Sequence, residues 1–326
     1  MVKNLSMRCA LRHSRWRTTT AVTLLLFPLL TASPAAVAST GTVQSSITLT
    51  QGTNIAVSAP AAFNRIAFDL SGRIWLAGGM HEPARALTKT GTLNLRPAFS
   101  PDGRYVAYES LISDHRQIFV AAIDSGESRQ VTFGPYDHVA PAWSPHTRNL
   151  VMSSDRGGNY DIWEVDVDSL ELRQLTFTNR HERDPAWNDD GTCLAYITET
   201  KHGSTLDILS PGGTPRRVLR ENGRMAAPAW RPGGGLLTYT RLGPKTNQLR
   251  MLILSTPPIT KPITSGEQVS PRPAHWIDRL DFLYTADGKI RRRELGLPHY
   301  EDFPFSVRID IERDARPAHA DPAIDE

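Results

Sequence analysis

Apolar and polar side chains alternate along "YDIWEVDVD", residues 160–168, with Trp163, Val165 and Val167 on one side and Ile162, Glu164 and Asp166 on the other. A period of two is the mark of a β-strand with one face turned inward. Short runs of this kind, bounded by Gly, Pro, Asn, Asp and Ser, succeed one another through most of the chain. One set reads "APAWS", "NLVMSSD", "YDIWEVDVD" and "LRQLTFT", separated by Ser144-Pro145, by Arg156-Gly157-Gly158-Asn159 and by Asp168-Ser169. These are four strands joined by turns. No apolar stripe of helical period longer than about ten residues interrupts them.

The set repeats. Pro97-Ala98-Phe99 returns as Pro141-Ala142-Trp143, Pro185-Ala186-Trp187 and Pro228-Ala229-Trp230, and in looser form as Pro273-Ala274-His275-Trp276. The prolines are 44, 44, 43 and 45 residues apart. A second marker keeps the same phase: "ALT" ending at Thr88, "QVT" at Thr132, "QLT" at Thr176 and "PIT" at Thr264, with Arg220 of "RVLR" in the remaining place. Four strands in about 44 residues, repeated, predict the blades of a β-propeller, because one such sheet cannot cover both its faces and its neighbours in a ring do so. Residues 47–310 number 264, six times 44, so an all-β, six-bladed β-propeller of four-stranded antiparallel blades is expected, with a degenerate first blade. The last blade needs an outer strand. Ile47–Thr50 is the preferred candidate to close the ring beside Lys289–Leu295, and Phe305–Ile311 is the alternative.

The turn "SPDG", Ser100 to Gly103, could be mistaken for a site. Its counterparts are Ser144-Pro145-His146-Thr147, Asn188-Asp189-Asp190-Gly191 and Arg231-Pro232-Gly233-Gly234. What persists is turn chemistry rather than a serine–aspartate pair. The aromatic residues of the repeat are expected to pack between neighbouring sheets.

The first 38 residues stand apart. Lys3, Arg8, Arg12, Arg15 and Arg17 precede an apolar run, Ala21–Leu30, and small residues at Ala36 and Ala38. This is the layout of a secretory signal peptide. The run is too short for a bilayer, which takes about 20 residues, and no transmembrane segment is expected later. The expected division is 1–38 signal peptide, 39–46 linker, 47–312 propeller and 313–326 disordered tail. The chain carries 37 basic and 34 acidic residues, net +3; without the signal's five basic residues, 32 stand against 34. No basic stripe remains for nucleic acid, so none is expected as a partner. Cys9 belongs to the signal, which leaves Cys193 alone, excludes an intramolecular disulfide and suggests a small buried strand residue.

The segments "RPAFSPDGRYVAYES", "APAWSPHTRNLVMSSDRGGNYDIWEVD" and "RQLTFTN" resemble the propeller repeats of TolB, the periplasmic component of the Tol–Pal envelope system. "LTQGTNIAVSAP", "IAFDLSGRIWLAGG" and "FLYTADGKIRRREL" are similar to the N-terminal propeller of bacterial proteins that fuse a TolB-like propeller to an amidohydrolase. The resemblance spans about Thr48 to Ile311. It implies a periplasmic location and a protein or peptide partner in the cell envelope. TolB itself has an α/β domain ahead of its propeller, and the fusion proteins a metal-dependent hydrolase domain behind it; neither is recognisable here. A separately encoded hydrolase domain is therefore an alternative partner.

No His-x-His, His-Glu-x-x-His, zinc-type Cys pair, Gly-x-Ser-x-Gly or Walker loop occurs. The expectation is a binding protein rather than an enzyme, without cofactor or metal. Strand order places the turns after the Pro-Ala-aromatic motif on one face, and the hairpins between second and third strands with the blade-to-blade connections on the other. That second face gathers Asp114, His115, Tyr136, Asp137, His138, Arg156, Arg180, His181, Glu182, Arg183, Asp184 and His202 as candidate partner- or ligand-binding residues. Four histidines among acids could hold a divalent metal; the plainer reading is a hydrated polar rim.

Overall fold

A computed structural model describes residues 42–78 and 82–314. The signal peptide and most of the tail expected from the sequence lie outside these residues. Among the described residues every regular element is a strand. They form six four-stranded antiparallel sheets, each built from four consecutive strands, and one two-stranded sheet. The protein is a six-bladed β-propeller.

The inner strands are Val57–Ser58, Asn94–Phe99, His138–Trp143, Glu182–Trp187, Met225–Trp230 and His275–Trp276. Each is an edge strand facing the central channel, which is where a proline can stand in a sheet without breaking a ladder. In the four middle blades the strand bulges at that proline. Leu95 pairs with Glu109 and Ala98 with Ala107, so Arg96 and Pro97 together face Tyr108; the same shift falls at 140–141, 184–185 and 227–228. The residue before each of these prolines has a positive φ: Arg96, Ala140, Asp184 and Ala227, between 52° and 56°. This is strained backbone for residues with a Cβ, and it recurs at one repeat position.

The second marker of the repeat has a plain structural task. Thr88, Thr132, Thr176 and Thr264 are buried, and each Oγ1 accepts the N–H of a third-strand residue, Ile74, Ile118, Ile162 or Leu249, at 2.8–3.0 Å. The repeat aromatics pack between sheets as expected. Trp143 lies with Ala107, Ile118 and Val120 of the preceding blade, and its Nε1–H donates to the Ala98 carbonyl there at 2.9 Å. Trp230 makes the same bond to Ala186, at 3.1 Å.

Ring closure differs from the expectation. Neither Ile47–Thr50 nor Phe305–Ile311 lies beside Lys289–Glu294. Glu301–Phe303 does, with Ile290 opposite Phe303. The chain turns at Leu297, whose N–H returns to Glu294, and a neighbour a few residues away closes a far smaller loop than the other end of the chain could. Thr42–Leu49 pairs instead with Val307–Asp314 as the two-stranded sheet, which touches the outer edge of blade one through Ala84 and Val307. Blades one and six meet by packing, not by exchanging a strand. Ile55, Val57 and Phe68 share a cluster with Leu283, Ile290 and Phe303. Gly52 N–H donates to the Gly288 carbonyl at 2.9 Å, and Thr285 Oγ1 to the Ile55 carbonyl at 2.7 Å.

Cys193 also differs. It stands before the strand Leu194–Thr200 and is only half-buried, because its N–H and C=O close the preceding turn onto Asn188.

Candidate functional site: the central channel

The channel holds a cavity of about 560 Å³. Its wall is the repeat itself: Pro97, Pro141, Pro185, Pro228 and Pro273, the alanines beside them, and the edges of Trp143, Trp187 and Trp276. Its rim is the set of turns that follow, with Pro101, Pro145, Asn188, Asp189 and Pro232. Those turns are self-contained. Ser100 Oγ donates to Asp102 at 2.6 Å and accepts the N–H of Tyr105 at 2.9 Å, while Asp102 also takes the N–H and Nε of Arg104. Asn188 and Asp190 reproduce the pattern two blades on. "SPDG" is punctuation, and it frames the mouth of a cavity.

The residues immediately before the repeat prolines make the floor. Arg96 and Asp184 stand there in blades two and four and line the cavity, and Arg272 holds the same place in blade six, near enough to feel the charges of Arg96, Asp69, Glu109 and Asp184. Arg96 Nη1 donates to Asp184 Oδ1 at 3.0 Å, and its Nε lies 3.4 Å from Glu109 Oε1. The strained backbone of each bulge directs an N–H to a neighbouring acceptor: Arg96 to Asp69 (2.8 Å), Ala140 to Glu109 (2.7 Å), Asp184 to Ser153 (3.1 Å) and Ala227 to Asp184 (2.9 Å). The first three acceptors occupy one position on second strands. In blade four that position is Ile197, which cannot accept, and the Asp184 carboxylate serves in its stead.

Burial pushes the Asp69 carboxyl above the usual range, although the N–H groups of Ala56 and Arg96 oppose this. For Arg96 burial acts downward, but Glu109 and Asp184 more than offset it and hold the guanidinium firmly charged. Arg272 is displaced downward by burial and by the Arg96 charge. His275 stands on the wall where four other blades carry Ala98, Ala142, Ala186 or Ala229, and burial lowers its pKa to about 4.

The opposite end of the channel carries a chain of charge contacts. Glu109 lies 3.7 Å from Arg116, and Arg116 3.9 Å from Asp137. Asp137 accepts the Tyr160 hydroxyl at 3.0 Å, the Arg183 guanidinium stacks 3.6 Å above the Tyr160 ring, and Arg183 pairs with Glu199 at 3.2 Å. Most of the twelve sequence candidates surround this chain. His115 is 3.9 Å from Asp137, Arg156 lies over Tyr136 at 5.4 Å, and His181 Nδ1 accepts the Tyr160 N–H at 3.2 Å. Asp114 caps an exposed hairpin, and Arg180 is exposed. His202 is apart from them, in a crevice with Lys201 and Arg224.

Three candidates do not belong to an exposed face. His138 is fully buried, and burial first, then Arg156, lowers its pKa to about 4. Glu182 is 1% exposed and bonded to Thr178. Asp184 faces the channel. The odd–even alternation of the inner strands turns these side chains inward or between blades, while strand order alone had put their backbone on the rim. Among the described residues no group of three or more His, Cys, Asp or Glu side chains is placed to hold a metal ion. Arg96, Arg272, His275, Glu109 and Asp69 were not among the candidates. The signal that finds the first two is the variable residue preceding an invariant proline of the repeat.

Six four-stranded blades around a central cavity define the class as a β-propeller. The model of the TolB beta propeller domain matches residues 81–273, and the chain belongs to that family. Its fold is similar to that of TolB from Acinetobacter baumannii, with a TM-score of 0.58 and 17% identity over 69% of this chain. It spans 57% of the length of that protein. A putative TolB from Agrobacterium tumefaciens gives 0.61 and 14%, covering 78% of this chain and 91% of that one. The oligogalacturonate lyase of Vibrio parahaemolyticus gives 0.50 and 13%, covering 81% and 73%. No curated protein matches the sequence. Among the described residues no helix is long and apolar enough to cross a membrane.

Proposed function

We propose that this chain is an exported, periplasmic, non-catalytic propeller that binds a protein or peptide partner of the cell envelope, and that a segment of the partner enters the channel between the repeat turns. The observation that carries this reading is the 560 Å³ cavity, walled by proline, alanine and tryptophan and reached past the turns. Its volume is in the range of built ligand sites. Extended chain suits such a wall, because prolines and ring edges offer contact area at little cost in side-chain entropy. The residues of the opposite face, exposed Asp114, Arg180 and His181 and half-buried His115 among them, offer a second, polar contact surface. The basic, then apolar, then small-residue N-terminus supports export.

The test is capture from a periplasmic extract on the immobilised chain and on an Ala142→Trp variant whose added ring fills the channel. One protein retained by the first and lost from the second is the expected result. Identical retention on both, or retention of nothing specific, refutes channel binding. Turnover of a substrate in that extract would place the chain with the propeller enzymes instead.

A further inference from the structure

Asp184 follows Arg96 by 88 residues, and Arg272 follows Asp184 by another 88. At one residue per blade-repeat of 44, the three charged pre-proline positions fall in alternate blades, two, four and six. Ala140 and Ala227 occupy that position in blades three and five. The floor is thus a three-spoked charged set against a wall that is mostly proline, alanine and tryptophan. Two spokes are cationic and one is anionic.

The hydrogen-bond inventory of this set is lopsided. Its facing carboxylates are mostly taken: Asp184 by Arg96 and the Ala227 N–H, Asp69 by the N–H groups of Ala56 and Arg96, and Glu109 Oε1 by the Ala140 N–H beside Arg96 Nε, with Glu109 Oε2 buried 3.7 Å from Arg116. Its donors are not. Arg96 directs Nη1 to Asp184 and Nε toward Glu109, which leaves Nη2 without a partner among the described residues, and Arg96 lines the cavity. His275, neutral and on the wall, makes no hydrogen bond among them. The Arg272 side chain makes one long bond, 3.4 Å to the Asn54 carbonyl, and no ion pair among the described residues. A half-buried guanidinium that keeps an open N–H edge can take a further charged acceptor, and a carboxylate is the group whose two oxygens match its fork.

We infer that the channel floor is a carboxylate-binding subsite in which Arg96 is the anchor, His275 is a second donor from the wall, and Arg272 supplies positive charge from blade six. This rests on the reading that a partner's segment enters the channel, and it adds that the segment carries a carboxylate at its leading end. Proline, alanine and tryptophan contact the apolar body behind it.

The probe is a pool of acetylated tripeptides drawn from Leu, Val, Pro and Phe, prepared with free C-terminal carboxylates and again as C-terminal amides, with 3-phenylpropionate as a small free acid. Binding is followed by titration calorimetry on the purified chain. The acid pool is expected to bind at least about tenfold more tightly than the amide pool, the worth of one charge-assisted bond. Arg96→Gln should erase the difference, Arg96→Lys should restore part of it, and His275→Ala should reduce it several-fold. Should Arg96→Gln fail to fold, the acid–amide ratio of the wild type and of His275→Ala decides. Equal binding of acids and amides overturns the carboxylate subsite; if Ala142→Trp still blocks both pools, channel binding stands without it. No binding of the acid pool overturns the subsite for peptides, and binding of 3-phenylpropionate alone assigns it to small free acids.

Discussion

Trp143 offers a graded test of how the blades are joined. It is 9% exposed, its ring packs on Ala107, Ile118 and Val120 of the preceding blade, and its indole N–H reaches across to the Ala98 carbonyl. Truncation to alanine removes the ring and opens a void between two sheets, which costs about 3–5 kcal/mol for a large buried aromatic. Replacement by phenylalanine keeps most of the ring but loses the inter-blade bond, a loss of about 1 kcal/mol and somewhat more if water does not reach the abandoned carbonyl. Trp187 is the control. It stands at the same repeat position one blade on, yet its Nε1–H is buried without a partner. Trp187→Phe therefore gives up no hydrogen bond and relieves an unsatisfied donor, so it should be near neutral. Urea unfolding followed by tryptophan fluorescence and by far-ultraviolet circular dichroism gives the midpoints. The expected order of loss is Trp143→Ala, then Trp143→Phe, then Trp187→Phe. A Trp143→Ala protein with an unchanged midpoint would refute packing between blades, and equal losses in the two phenylalanine variants would refute the role of the cross-blade bond.

Stability should also depend on pH through two desolvated imidazoles, one buried and one half-buried on the channel wall. His138 and His275 titrate near 6.5 in the unfolded chain and at about 4 in the fold. Between those values the unfolded chain takes up protons that the fold does not, so their contribution is complete above about pH 6.5 and is lost as pH falls toward 4, by up to about 3 kcal/mol each. The urea midpoint at pH 4.5 should lie well below that at pH 7, and His138→Leu should flatten the slope; an unchanged slope contradicts the burial argument. Asp184→Ala should cost about 3–5 kcal/mol, since it strands the Arg96 guanidinium and the Ala227 N–H together; a loss below about 1 kcal/mol by thermal melting would show that the floor is not a coupled unit. Asp102→Ala should cost about 1 kcal/mol through the lost turn bonds and leave partner capture unchanged; lost capture would return "SPDG" to the list of sites.

The repeat made the fold readable because most blades reuse the same solution: proline on the free inner edge, an aromatic between sheets, and, in four of the six, threonine tying the outer strand to the third. The aromatics pack between sheets as their recurrence suggested, while the bond made by the threonine shows only in the structure. The outer strand of blade six was not readable, since Glu301–Phe303 is three residues long, lacks the threonine marker and competes with two better-patterned segments. The candidate site was half legible. Strand order separates the two ends of the blades, and exposed loop residues such as Arg180 and His181 are where it puts them. Direction of the side chain is a finer matter: His138 and Glu182 start inner strands, Asp184 follows two residues after Glu182, and one step along a bulged strand decides between rim, core and channel. The floor was hidden by its variability. A search for what repeats passes over Arg96, Asp184 and Arg272, because they are the places where the repeat changes.

Site-specific photo-crosslinking in intact cells tests the central claim most directly. A photoreactive residue replaces His146, on the turn at the channel mouth, or Arg180, on the opposite face. The account predicts a discrete crosslinked partner from position 146, abolished when Ala142→Trp fills the channel behind it. A partner captured from position 180 alone, or a crosslink at 146 that persists with the channel filled, would contradict it.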